Sequence, residues 1–302
     1  MILCTGEALI DLVPEPGGSL RPLAGGAVYN TAVALGRLGA DAGFLWPISR
    51  DGFADLLLAP LARAGVDTAA CPRTDRPTTL AVVSLAGGEA RYSFYDEGSA
   101  GRMFAEADLP PLPAGLRALF IGGISLVPEP CGTTVETMAA RAARRGIPVM
   151  IDPNVRPFFI ADDAAYRARL DRLFGLAAIV KLSADDCAWL WPGADRDAIA
   201  RELMSRGARL VLLTSGAQGA IALTPRHRAQ VPALPVTVAD TIGAGDTFNA
   251  GILDALSRAG ALERLDALDA PTLTAALSHA ARAAAITVSR PGANPPWRHE
   301  LG

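Results

Sequence analysis

Short apolar, β-branched runs at residues 1–5, 42–46, 118–121, 149–151, 179–182, 210–214 and 220–223 are long enough for strands and too short for buried helices. Between them, residues 27–38, 53–64 and 128–145 carry helical patterns, closed by Gly39, Gly65 and Gly146. This alternation constrains the fold more than any other feature. Buried strands joined by helices pack most simply as a parallel sheet with helices on both faces, so an α/β chain with a mostly parallel central sheet is expected.

One region departs from the rule. Residues 78–85 and 89–95 read as adjacent strands joined at Gly87-Gly88, a hairpin signal. A hairpin set into an α/β core is placed to act as a lid, expected from about residues 10–24 and 77–104 within a single domain spanning 1–302. No long linker, repeat or low-complexity tract interrupts the chain, and the Ala-rich segment 273–288 is a good helix former.

Half of the 302 residues are hydrophobic, enough for a large core, and the formal net charge of −3 gives no reason to expect nucleic acid or an anionic membrane surface as partner. The partner expected is a small molecule. Cys4, Cys71, Cys131 and Cys187 form no C-x-x-C pair, and the three histidines do not accompany them at metal-ligand spacing, which suits a reducing, cytoplasmic compartment. The first apolar stretch is broken by Glu7 and Asp11, and no later run has transmembrane length, so neither a signal peptide nor a membrane span is expected. Lys181 is the only lysine among 28 basic residues. Codon bias explains the excess of arginine; the survival of one lysine hints that arginine does not serve there.

"VADTIGAGDTFNAG", residues 238–251, holds the densest chemistry. With a helix over 244–256, Gly243, Ala244 and Gly245 lie at its first turn, where backbone N–H groups lack intrahelical partners and the dipole is positive. Small side chains let the backbone approach a phosphate. Asp246 beside that anion suits a general base taking a proton from an attacking hydroxyl. A plain helix start with an acidic first turn accounts for the same four residues.

The flanks add a family resemblance. "DTIGAGDTFNAG" resembles the C-terminal D-T-x-G-A-G-D signature of the ribokinase-like (PfkB) carbohydrate kinases, and "GGAVYNTAVALGRLG", residues 25–39, resembles their N-terminal glycine-rich signature. The likeness runs from "GEALIDLVP" at Gly6 to "SRPGANPPW" at Ser289 and is greatest to bacterial fructokinases. It implies a three-layer α/β/α sandwich with a β-strand lid. It also implies Asp246 as base and Gly243, Ala244 and Gly245 as anion hole, in agreement with the direct reading. Asp11, Gly26 and Asn30 match positions that hold sugar hydroxyls, with a strand-end turn and a helix N-terminus as the plain alternatives. "DPNVRP", residues 152–157, follows a buried strand, where such sheets bind ligands, and Arg156 is expected to reach a sugar oxygen or a carboxylate; Asp152 and Asn154 also suit an Asx turn.

"KLSADD", residues 181–186, stands in place of the family's K-x-N-x-x-E element, so Lys181 and Ser183 are expected at the nucleotide and Asp186 at magnesium, directly or through water, with Asp185 able to share the role. "LLTSGAQGA", residues 212–220, matches the nucleotide loop, with Thr214, Gly216 and Gly219 near the triphosphate. "ITVSRPGANPP", residues 286–296, resembles the segment that, with Asp240 and Ile242, encloses a monovalent cation such as K+ in many members. The helix around 279–285 is expected either to wall the adenine or to pack in the core. In "RYSFYDEGSAGRM", residues 91–103, Phe94 and Tyr95 are candidates to cover the sugar; the alternative is plain packing.

The resemblance therefore implies a sugar kinase using ATP and Mg2+, with D-fructose as the leading acceptor and 2-keto-3-deoxygluconate as the rival. A sugar-binding sensor without turnover is the alternative of another class. A homodimer through exposed lid strands is a further expectation, since an unpaired edge invites another strand.

Overall fold

A computed structural model describes residues 1–86 and 89–302; the expected Gly87-Gly88 turn lies outside the described residues. β1 (Ile2–Thr5), β2 (Leu9–Pro14) and β3 (Leu20–Gly25) lead into α1 (Ala27–Arg37), followed by β4 (Ala42–Leu45), the short β5 (Ile48–Ser49) and α2 (Ala54–Arg63). Next come β6 (Arg73–Thr74), β7 (Leu80–Ala86) and β8 (Glu89–Tyr95). The chain then alternates β9 (Ala118–Gly122), α3 (Cys131–Arg144), β10 (Val149–Asp152), α4 (Asp163–Leu176), β11 (Ile179–Ser183), α5 (Ala184–Leu190), α6 (Arg196–Ser205) and β12 (Leu210–Thr214). β13 (Ala220–Leu223), β14 (Arg228–Val231), α7 (Ala244–Arg258) and α8 (Ala270–Val288) complete it.

The large sheet runs β14-β13-β12-β11-β10-β9-β1-β4. From β4 to β12 neighbouring strands pair in parallel, and β13 and β14 add an antiparallel edge. β1, β4, β9 and β10 are buried along their whole length, which explains their unbroken apolar sequences: helices cover both faces. Helices stop where the glycines predicted, as at Gly39 with φ +77°. Order reverses around β1, flanked by β4 and β9, and the crevice beyond the strand ends at such a reversal is where open α/β sheets take ligands.

A second sheet, β3-β2-β7-β8, rises from that end. β2 pairs antiparallel with β3 and parallel with β7, and β7 pairs antiparallel with β8, so the expected hairpin is present. α7 lies against α8, where a side chain on Gly251 would place its Cβ 2.6 Å from the Ala280 Cα. Thr287 Oγ1 also donates to Thr247 Oγ1 at 2.9 Å. Ala280 and Ala283 are fully buried and serve core packing, while Ala281 and Ala284 on the same helix are half-buried. Among the described residues no helix is long and apolar enough to cross a membrane, and all four cysteines are free.

Candidate active site

α7 begins at Gly243, whose φ of +77° is a left-handed conformation that favours glycine; added bulk there would also meet Ala293. No side chain caps the helix. The Gly245 and Asp246 amides, whose intrahelical acceptors would lie before the helix start, have no hydrogen-bond acceptor among the described residues. The first turn thus offers free donors and the positive end of a fifteen-residue dipole. Asp246 sits in this turn with 8% exposure and accepts from Asn30 Nδ2 at 2.9 Å. Burial pushes its carboxyl up to about 7; the Asn30 hydrogen bond and Lys181 pull down, while Asp152 and Glu7 push up. A base with that pKa is poised to take a proton near neutrality.

α1 and the small sheet lie next to this turn. Gly26, with φ +113°, precedes α1, and a side chain on it would overlap the Glu7 carbonyl; one on Gly25 would overlap the Asp11 carboxylate. This close packing brings Asp11, Gly26, Asn30 and Asp246 to one crevice. Burial pushes Asp11 up to about 6. Asp11 is register-paired with Ala81, and Ala81 with Phe94, so the three share one face of the sheet. Phe94 packs edge-on to Phe159 at 4.9 Å and stacks with Tyr92 and Phe158 at 6.3 and 6.1 Å. Tyr95 points to the opposite face and is 65% exposed, so the aromatic partner of Phe94 on this face is Tyr92. Burial raises the Tyr92 hydroxyl's pKa, with Asp11 and Asp240 adding and Arg156 opposing, which sets it in the field of both Asp11 and Arg156. Arg156 itself is exposed and folds back on the carbonyls of Asn154 and Val155.

At the ends of β10 and β11, Lys181 is 3% exposed and donates to Asp152 Oδ2 at 2.9 Å. Burial works against its ammonium, but Asp152, Asp186 and Asp246 outweigh it and hold the pKa above the ordinary lysine value. Asn154 adopts φ +42° and donates its amide to Asp152 Oδ1 at 3.2 Å, so the Asx turn is real. Ser183 and Asp186 form a capping box on α5: Ser183 Oγ and N both donate to Asp186 Oδ2, and Asp186 Oδ1 accepts from the Val155 amide at 2.7 Å. Both Asp186 oxygens are therefore engaged, whereas Asp185 is exposed. Thr214 ends β12 beside Ser183, and Gly216, with open space where a Cβ would stand, lies on the loop after it. Gly219 packs against the backbone of residues 231–233 and shapes the loop from behind. Asp240 ties two segments together by accepting from the Ile242 amide at 3.0 Å and the Gly292 amide at 2.9 Å.

Three groups escaped the sequence reading. Glu7 is buried at the end of β1, accepting from the Ala27 amide at 2.9 Å and the Ser125 amide at 3.2 Å, so it clamps the start of α1. Asn249, one helical turn after Asp246, reaches Asp152 Oδ2 at 2.7 Å. Ser215 Oγ is buried in the loop after β12 with no hydrogen-bond partner among the described residues. The spacing of Asn249 from Asp246 was a usable signal, because i and i+3 share a helix face; Glu7 and Ser215 carried none.

Comparison with known proteins agrees along the whole chain. The pfkB family carbohydrate kinase pattern matches residues 1–300. A fructokinase from Rhizobium leguminosarum bv. trifolii is 47% identical over 262 residues, 85% of this chain and 79% of the relative. The crystal structure of fructokinase from Xylella fastidiosa with bound ATP superposes with a TM-score of 0.91 at 30% identity, covering 99% and 97% of the two chains. A fructokinase double mutant from Vibrio cholerae O395, in its fructose, ADP and potassium ion bound form, gives 0.86 at 27% identity over 97% and 93%. Since the match runs from the first strand to the final turn and the crevice lies within it, the chain belongs to the pfkB family of carbohydrate kinases and is a sugar phosphotransferase.

Proposed function

We propose that this chain is an ATP-dependent fructokinase, transferring the γ-phosphoryl group of ATP to the C6 primary hydroxyl of D-fructose to give fructose 6-phosphate and ADP. The observation that carries it is the buried Asp246 carboxylate, with a pKa of about 7, set in the open first turn of α7. The fructokinase relatives supply the acceptor. Asp11, the Gly26 backbone and Asn30 hold the sugar hydroxyls, and Phe94 and Tyr92 cover its apolar edge. Asp246 takes the proton of the attacking hydroxyl while the Gly243-Ala244-Gly245 turn, with the unpartnered amides of Gly245 and Asp246, faces the charge on the transferred group. The small sheet acts as a lid excluding water, the competing acceptor.

Lys181, Ser183, Thr214, Gly216 and Gly219 lie toward the phosphates. The donor set at the β11–α5 junction suits magnesium that arrives on ATP with most of its waters: Asp186 is engaged within the protein, and Asp185 is free to hold water. When bound, that ion neutralises charge on the phosphates. Asp240, Ile242 and the loop around Gly292 are the place for a potassium ion. A cytoplasmic location and a homodimer pairing the lid edges complete the reading.

The test is ADP release by the purified protein with Mg-ATP against fructose, 2-keto-3-deoxygluconate, ribose and glucose, with and without potassium. Fructose-dependent turnover that falls by about 10²-fold or more in Asp246→Asn, with sugar binding kept, is expected. Turnover only with the keto-acid would make Arg156 a carboxylate partner. Silence on every sugar, with binding intact, would favour a sensor.

A further inference from the structure

Lys181, the single lysine, is buried among Asp152, Asp186 and Asp246. Its Nζ stands 3.4 Å from the point a Cβ on Gly245 would occupy, so the ammonium touches the edge of the α7 first turn. Asp152 Oδ2, at the end of β10, accepts from Lys181 at 2.9 Å and from Asn249 Nδ2 at 2.7 Å. Three elements, β10, β11 and α7, thus converge on one carboxylate oxygen. Asn249 Oδ1 is buried and has no hydrogen-bond partner among the described residues, while the lysine carries two further N–H donors. A buried ion pair is weak support for stability, because desolvation offsets the attraction. A planar guanidinium is larger and forked, and the gap at Gly245 suits a compact point charge.

We propose that Asp152 and Asn249 are positioning residues that hold the Lys181 ammonium against the Gly245 edge of the anion turn, so that one point charge joins the α7 amides at the transferred phosphoryl group. The inference rests on the phosphate reading of that turn. Asp246 faces the same assembly, with Lys181, Asp152, Glu7 and Asn30 as its charged and polar neighbours. Neither positioning residue need touch a substrate.

The single lysine makes a direct test available. Protein grown on lysine isotopically labelled at the side-chain terminus, without a lysine-bearing tag, gives one side-chain NMR signal. That signal should move on addition of Mg-ADP. In Asn249→Ala, which removes no charge, kcat should fall roughly 10-fold to 100-fold with the sugar KM within about threefold, as for loss of one preorganised electrostatic contact. The acid limb of its pH profile should also rise, as in Lys181→Met, because the ammonium favours the ionised base. Asp152→Asn should show the same kcat loss, and Lys181→Arg should not restore turnover although it restores the charge. A lysine signal indifferent to nucleotide, or Asn249→Ala within twofold of wild type in kcat, overturns the inference. If Asp152→Asn does not fold, the wild-type signal and Asn249→Ala decide. If the wild type phosphorylates no sugar, the kinase reading fails, and the response of the lysine signal to Mg-ADP still judges the placement of the charge.

Discussion

At Asp246, function and stability pull in opposite directions. Folded, it keeps its proton until about pH 7; unfolded, it releases it near the ordinary aspartate value of about 4. Between those values the folded state binds the extra proton, so the group's contribution to stability is fully present below about pH 4 and is lost as pH rises through about 7. Asp246→Asn keeps the shape and an acceptor for Asn30 but never ionises. At pH 8 it should therefore be more stable than wild type by up to ~4 kcal/mol, the equivalent of that displacement, and nearly equal to it at pH 4. Denaturant midpoints at the two pH values check this, and no gain at pH 8 would mean that the carboxylate is at ease where it sits. For the active protein, kcat/KM for the sugar should climb as pH passes upward through about 7, following ionisation of the same group.

Elements position these residues, and here the sequence was an uneven guide. Strands buried on both faces and helices ended by glycine were readable because each carries a local signal. α4 was not, because Arg169 faces inward and interrupts its apolar pattern; distant partners, Glu129, Glu136, Thr133 and the carbonyls of Leu126 and Val127, explain its burial. α5 has just seven residues, too few for a period to show. The choice of Phe94 and Tyr95 as a pair overlooked strand alternation, which puts Tyr92 on the face of Phe94. The small residues of α8 suited both an adenine wall and packing, and the contact of Gly251 with Ala280 accounts for the buried ones alone. Gly251→Val follows from that contact: overpacking should cost about 1–3 kcal/mol and tilt α7 from its seat. Because the anion turn leads the same helix, kcat should fall more than sugar affinity does; an unchanged kcat with lowered stability would show that the turn is held independently of α8.

Across the whole molecule, the crevice draws its residues from two sheets. Asp11 and Phe94 belong to the small sheet, Asp246, Lys181 and Asp152 to the large sheet and its helices. The sequence held the two glycine signatures 200 residues apart and the resemblance named what each does, but the meeting of Asn30 with Asp246, and of Lys181, Asp152 and Asn249, is set by tertiary packing alone. A sugar bound across both sheets should act as a clasp. Fructose at about 100 times its dissociation constant should stabilise the fold by ~2.7 kcal/mol, seen as a rise in thermal midpoint without nucleotide. Asp246→Asn should keep that rise, because the proposed base is not needed to hold the ground state, while Asp11→Ala should lose most of it by removing the proposed polar grip of the small sheet. If instead Asp11→Ala kept the full rise, the sugar would be held by the large sheet alone, and the small sheet would have no part in acceptor binding.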